Sequence, residues 1–198
     1  MNNTYKQQEL WQSTEQACTL PHVSNWCLQD LSSGAKLLAL SWKEPFASLM
    51  LYGKIETRVW PTKYRGLVLI CTSKKAYNHE QLYNISGNLV NDFTRKVIGR
   101  NYDHWQNNII KQGYAIAVGR LVDCRLMTKD DESKCFVKYR EPWKEERISK
   151  KTGKKKIVEV KLYCHVYEDV KPIKPIIWDG KQGWTNVSQD LIRSIELR

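Results

Sequence analysis

The chain has 198 residues with 32 Lys and Arg against 21 Asp and Glu, which gives a formal charge of +11 and a pI near 9.3. That length suits one domain with extensions, or at most two small ones, and buries roughly two thirds of the unfolded surface without disulfide staples. No apolar run reaches the roughly eighteen residues of a membrane span, and the Gln-, Asn- and Thr-rich beginning has no apolar signal core, so a soluble, cytoplasmic protein is expected.

Residues 1 to about 36 are polar, with scattered apolar groups such as Trp11, Leu20, Trp26, Leu28 and Leu31, and are expected to pack as an N-terminal arm. Leu37-Leu38-Ala39-Leu40 then reads as a short buried strand. Pro45 suits the first turn of a helix that carries Phe46, Leu49 and Met50 at helical spacing, with Gly53 as its stop. Gly66 precedes a second buried strand through Thr72. Glu80 to Lys111 reads as helical, with Leu89, Val90, Phe93, Val97 and Ile98 on one stripe and Gly87 and Gly99 dividing it.

The remainder reads as sheet. Tyr114 to Cys124 is rich in Ala, Ile, Val and Leu, and Lys134 to Arg140 is a β-favouring run of Phe, Val and Tyr. From Ile157 the alternation predicts one half-buried strand, with Val158, Val160, Leu162, Cys164 and Val166 inward and Glu159, Lys161, Tyr163, His165 and Tyr167 outward. A short helix led by Ser188, bearing Leu191, Ile192 and Ile195, closes the chain.

Between these last strands Gly153 can supply the positive φ of a hairpin tip. The segment Lys138 to Lys161 holds ten basic and four acidic residues, a net +6 of the chain's +11. If about five of those charges neutralise phosphates of a single strand, log affinity falls with log salt at a slope of roughly −3.5. A merely solvated hairpin has almost no such dependence. Lys150, Lys151, Lys154, Lys155 and Lys156 are the phosphate ligands this implies, with Trp143 as a stacking surface.

The six cysteines, at 18, 27, 71, 124, 135 and 164, form no C-x-x-C pair. Reduced thiols are expected, with Cys71 and Cys164 as small buried hydrophobes. Cys18, His22 and Cys27 offer three ligands where a closed structural site wants four, so neither metal nor cofactor is called for. The four histidines lie apart from the motifs and read as structural or exposed. No P-loop, Rossmann glycine pattern, HExxH or G-x-S-x-G motif is present.

Leu40-Ser41-Trp42-Lys43-Glu44-Pro45-Phe46-Ala47-Ser48-Leu49, followed by Glu56-Thr57-Arg58-Val59-Trp60-Pro61-Thr62-Lys63-Tyr64-Arg65-Gly66, resembles the start of an ASCH domain. Gly113 to Cys124 is similar to that family's central strand, and Tyr163 to Ile173 with Gly180 to Val187 to its ending. The resemblance spans about residues 37 to 196. It implies a PUA-like α+β fold: a mixed β-barrel flanked by helices, here with the arm over 1–36 and an extended basic β-hairpin inserted at about 138–161. ASCH-like proteins mostly handle RNA or DNA, so the implied partner is RNA or another single-stranded nucleic acid.

The resemblance also places residues. Its Glu-x-Arg pair corresponds to Glu56 and Arg58, expected to line a cleft beside the first helix with Trp60 nearby. Carboxylate, guanidinium and indole together suit a base, modified or flipped out of its stack, that stacks while its edge exchanges hydrogen bonds. The plainer reading is an internal ion pair. Ser41, Trp42 and Lys43 fall at the end of the first strand, Lys63 and Arg65 form a basic turn suited to phosphates, and Lys181 lies in a glycine-flanked loop.

Two other functions stay open. A bacterial relative hydrolyses N(4)-acetylcytidine with a Lys, a Thr and a Glu, and other members are associated with RNA cleavage; Lys54 and Thr57 repeat its Lys-x-x-Thr spacing and, with Glu56, are the catalytic candidates here, while the relative's glutamate has no assigned counterpart. Anchored on Arg58, however, the relative's threonine falls on Glu56 and its lysine on Gly53. The third function is a protein-interaction adaptor whose hairpin meets an acidic partner.

Overall fold

A computed structural model of the chain describes residues 26–32, 36–99, 112–149, 152–180 and 183–198. The two uninterrupted apolar runs become β1 (Leu38–Trp42) and β3 (Gly66–Thr72), parallel neighbours with Trp42 opposite Thr72. Both are covered on both faces, which is why neither run alternates. They form the middle of a mixed six-stranded sheet of order β2-β7-β4-β3-β1-β8, completed by β2 (Glu56–Arg58), β4 (Tyr114–Leu126), β7 (Tyr163–Ile177) and β8 (Thr185–Asn186).

The long strands β4 and β7 slip register at three places along their pairing. Each slip is a bulge that bends the ladder and adds twist, so the sheet curls into a half-barrel. Gly119 sits on this bend: a Cβ there would lie 2.9 Å from Val170 Cγ2. The helices are short. They comprise α1 (Leu28–Ser32), α2 (Phe46–Leu49), α3 (His79–Ser86), α4 (Leu89–Phe93), α5 (Glu132–Cys135) and α6 (Gln189–Arg193).

Local signals explain the helix ends. A 3-10 turn, Met50–Tyr52, extends α2 until Gly53 adopts φ +78 and stops it, as its lack of a side chain permits. Asn78 and Gln81 form a reciprocal capping box at the start of α3. Gly87 ends α3, and Gly99 ends the π-turn Thr94–Ile98 that follows α4. Ser188 caps α6 by accepting from the Leu191 N–H at 3.3 Å.

One core layer joins Trp26, Leu31, Leu69, Val118, Ile173 and Ile192, and another joins Leu40, Trp42, Met50, Ile70, Leu121 and Tyr167. The described part of the expected arm is thus packed into the fold. Trp26 donates through its backbone N–H to Asp169 Oδ2 (3.1 Å) and through its indole to the Asp169 carbonyl (2.7 Å). Under α2 and α3, Phe46, Leu49, Leu82, Val90 and Phe136 form a third cluster. Among the described residues no helix is long and apolar enough to cross a membrane.

Two expectations are corrected. Lys134 to Arg140 is not a strand: α5 ends in Phe136 at φ 54, and the chain then runs irregularly to residue 142. The aromatic and branched residues that suggested a strand instead cover helices and a cysteine pair, with Phe136 against the α2–α3 cluster and Tyr139 beside Cys135 and Cys164. The alternating segment from Ile157 is likewise not one strand. It breaks at Lys161 and Leu162 between β6 (Lys155–Val160) and β7. His165 and Tyr167, expected outward, are 0 % and 8 % exposed because β7 lies between β2 and β4 in a curled sheet.

Strand β6 pairs with β5 (Trp143–Ile148) in a separate two-stranded sheet, turning through Gly153 at φ +66.

Candidate nucleic-acid interface

Because β1 and β3 run parallel, Lys43 and the stretch Ser73-Lys74-Lys75 leave the sheet at the same end. The chain after α5 supplies the facing wall, and between them opens a groove of ≈ 1060 Å³. The floor comes from β2. Glu56 is 5 % exposed, and its carboxylate receives the Lys54 ammonium on Oε2 at 2.8 Å and faces Arg58 Nε from Oε1 at 3.2 Å. The Arg58 contact is an ion pair off the line of a hydrogen bond, since Nε has no bonded acceptor. Lys54 also donates to the Ile55 carbonyl at 3.0 Å.

Strand alternation sends Glu56 and Arg58 to one face and Thr57 to the other. Arg58 lies over Trp42, 5.4 Å from the ring centroid, and donates from Nη2 to the Ser41 carbonyl at 3.3 Å. The Trp42 indole N–H is buried and unpartnered, as is the Tyr167 hydroxyl, and the two rings meet edge to face at 6.0 Å. Burial pushes the Tyr167 hydroxyl's pKa well up, so it stays protonated.

Seven of the sequence-derived site residues, Ser41, Trp42, Lys43, Lys54, Glu56, Thr57 and Arg58, line this one groove. Trp60 stands below Arg58 instead, packed edge-on to His165 and Trp184 at 4.9 and 5.8 Å. Lys63 and Arg65 are exposed and outside the groove lining, with Arg65 held 3.4 Å from Asp123. Lys154, Lys155 and Lys156 are exposed on the hairpin, away from the groove wall, and Lys155 pairs with Glu146 at 3.0 Å. Lys150, Lys151 and Lys181 lie outside the described residues, as do Cys18 and His22 of the imagined metal trio.

Sequence reasoning missed several groove residues: Lys74, Lys75, Tyr77, Tyr139 and, as wall residues, Lys138 and Arg140. The signal for Lys74 and Lys75 was present, since residues just past two parallel buried strands share one sheet end. The Arg140 guanidinium lies 4.2 Å from the Trp143 ring, and the Lys43 ammonium 4.7 Å from Tyr77. Among the described residues, seven cationic side chains thus line the groove against one carboxylate, Glu56, which two of them already neutralise.

The described cysteines are free thiols, and Cys71 and Cys164 are fully buried as expected. No cluster of metal-binding side chains exists among the described residues. No protein-family model matches the chain, and no curated protein matches it.

Proposed function

We propose that this chain is an ASCH-like, PUA-like domain whose groove binds RNA or another single-stranded nucleic acid. The observation that carries this reading is the imbalance of the lining: seven cations, one carboxylate neutralised at the floor, and aromatic rings interleaved between the charges. Phosphates answer the rim cations, and a base stacks on a half-buried ring such as Tyr77, Tyr139 or Trp143, each stack contributing about 1 to 3 kcal/mol. The buried, unanswered Trp42 N–H supports the same reading, because an unpaired buried donor costs about 1 to 3 kcal/mol until something accepts from it.

A hydrolase built on Lys54, Glu56 and Thr57 draws less support. The Lys54 ammonium is engaged by a carboxylate and a carbonyl, and although Thr57 borders the groove its hydroxyl is buried and alternation along β2 turns it away from Glu56 and Arg58. An adaptor for acidic proteins explains the charge but not the aromatic interleaving.

The test is binding of labelled single-stranded RNA and DNA across a salt series. Wild type is expected to lose about a hundredfold in affinity between 50 and 200 mM salt. Arg58→Ala is expected to weaken binding about tenfold with the salt slope kept, as befits a contact to a base rather than a phosphate. Absence of binding to either strand at low salt overturns the reading.

A further inference from the structure

Two buried thiols take no part in the groove chemistry described so far. Cys135 is the last residue of α5 and Cys164 the second of β7; both are 0 % exposed, and their sulfurs lie 3.7 Å apart although the residues are 29 positions apart in sequence. Both are free thiols, in contact and within a small shift of the roughly 2 Å of a disulfide. Cys71 is equally buried, but its sulfur meets the Leu69 carbonyl instead, at 3.6 Å.

The pair sits one side-chain layer behind the groove. Val137, Tyr139 and Leu162 pack on the cluster that holds the two thiols, and the same three residues line the groove. All three are half-buried, so a reactant little larger than water has a short path to the sulfurs. Thr57, another lining residue, lies opposite Cys164 in the β2–β7 ladder, and the two side chains therefore share a face. The Ile55 N–H donates to the Lys134 carbonyl at 3.0 Å, which holds the end of α5 against the entry to β2. The chain after Cys135 is the groove wall, and β7 carries the floor strand β2. A bond between these sulfurs joins wall to floor.

The two thiols are not equivalent. The Cys164 thiol donating to it lowers the pKa of Cys135 against the pull of burial, and the Lys54 ammonium adds to the lowering. The same contact raises the pKa of Cys164. Cys135 is thus the nucleophile and Cys164 the resolving thiol.

We propose that Cys135 and Cys164 are a peroxide-responsive dithiol whose disulfide clamps the groove wall to the sheet beside the floor. The Cys135 thiolate attacks one oxygen of hydrogen peroxide, the O–O bond breaks, and the departing hydroxide takes up the proton Cys135 released and leaves as water. Cys164 then attacks the sulfenic sulfur; the S–S bond forms, the S–O bond breaks, and the Cys164 proton leaves with the hydroxyl as a second water. Two thiols are oxidised by two electrons and one peroxide is reduced. A dithiol reductant reverses the bond by exchange. None of this depends on what the groove binds.

The test treats the full chain with graded hydrogen peroxide, alkylates the remaining thiols in urea and maps the peptides without reductant. The Cys135–Cys164 linked peptide is expected to form at least about tenfold faster than the Cys71 thiol is consumed, and dithiothreitol returns both thiols. In Cys164→Ser, whose hydroxyl keeps the donation, dimedone added with urea traps a sulfenic acid at Cys135; in Cys135→Ser, Cys164 stays a thiol. The wild-type map stands even if either variant misfolds. On the folded, oxidised protein, trypsin cleavage after Lys138 and Arg140 is expected to slow at least about threefold, because the bridge restrains local opening of the wall. A linked peptide that forms no faster than Cys71 is consumed, or a bridge to another cysteine in its place, overturns the dithiol; a linked peptide with unchanged trypsin cleavage overturns the clamp. No nucleic acid enters either measurement, so neither result bears on the ligand of the groove.

Discussion

The groove floor and the hairpin use charge in opposite ways. At the floor, Lys54 and Glu56 have side chains only 1 % and 7 % exposed, and each charge is held by a named partner at bonding distance. On the hairpin, cations outnumber acids, the described charged side chains of β5 and β6 are exposed, and no other strand among the described residues pairs with the two. Buried charge must be matched because desolvation is costly, so the floor can present little net field of its own. Exposed charge costs little to hold, so the long-range field resides where structure is weakest.

The sharpest way to break that contrast is at the floor. Glu56→Ala strands the Lys54 ammonium in a buried site, and a loss of about 3 to 5 kcal/mol is expected in urea unfolding. A loss under about 1 kcal/mol would mean that water reaches the triad.

Glu44 extends the comparison to a buried carboxyl with no cationic partner among the described residues. It is 0 % exposed and accepts from Ser48 N (3.0 Å) and Ser48 Oγ (2.8 Å), and burial pushes its pKa up to about 7. Its folded pKa lies above its unfolded value, so its contribution is fully present below about 4.5 and is lost as pH rises through about 7. Glu44→Gln is expected to be more stable than wild type by about 2 to 3 kcal/mol at pH 8 and to lose that pH slope. Equal unfolding curves for the two proteins at pH 8 would contradict this.

Asp131, itself 5 % exposed, is the paired counterpart beneath a partly exposed arginine. Arg125 grips both its oxygens, at 2.7 and 2.6 Å, and holds its carboxyl well below the usual carboxylate range. This depressed pKa adds stability above the unfolded value of about 3.8 that is lost as pH falls below it. Because the Arg125 side chain is 43 % exposed, solvent screening limits the effect. Asp131→Asn should therefore cost about 1 to 2 kcal/mol at pH 7 and converge on wild type in acid.

The smallest stability effect belongs to the hairpin. Replacing Lys154, Lys155 and Lys156 by Gln should change unfolding free energy by no more than about 0.5 kcal/mol. The same substitutions should flatten the single-strand salt slope by about 2 if all three meet phosphates. A shifted melting curve would show that these lysines support the fold after all.

What the sequence made legible follows from how many roles each segment serves. Leu37–Leu40 and Leu67–Ile70 only fill the interior, so composition alone located β1 and β3. Gly53, Gly87 and Gly99 each do one backbone task and marked real ends. The failures came where one segment serves two neighbours. Strand β7 is packed on both faces, so His165 and Tyr167 are buried against an apparent polar alternation, and Phe136-Val137 has the composition of a strand but the job of a lid on helices. Similarly, Glu56 and Arg58 were legible as a pair, whereas Lys74, Lys75 and Arg140 joined them only through chain topology.

The separateness of the β5–β6 ladder bears on how this chain can diversify. Adding two residues to each of its strands extends the ribbon by about 7 Å while every side chain keeps its face, and no hydrogen bond of the six-stranded sheet has to be rewritten. Reach can therefore evolve by small, paired insertions, independently of the chemistry at the floor.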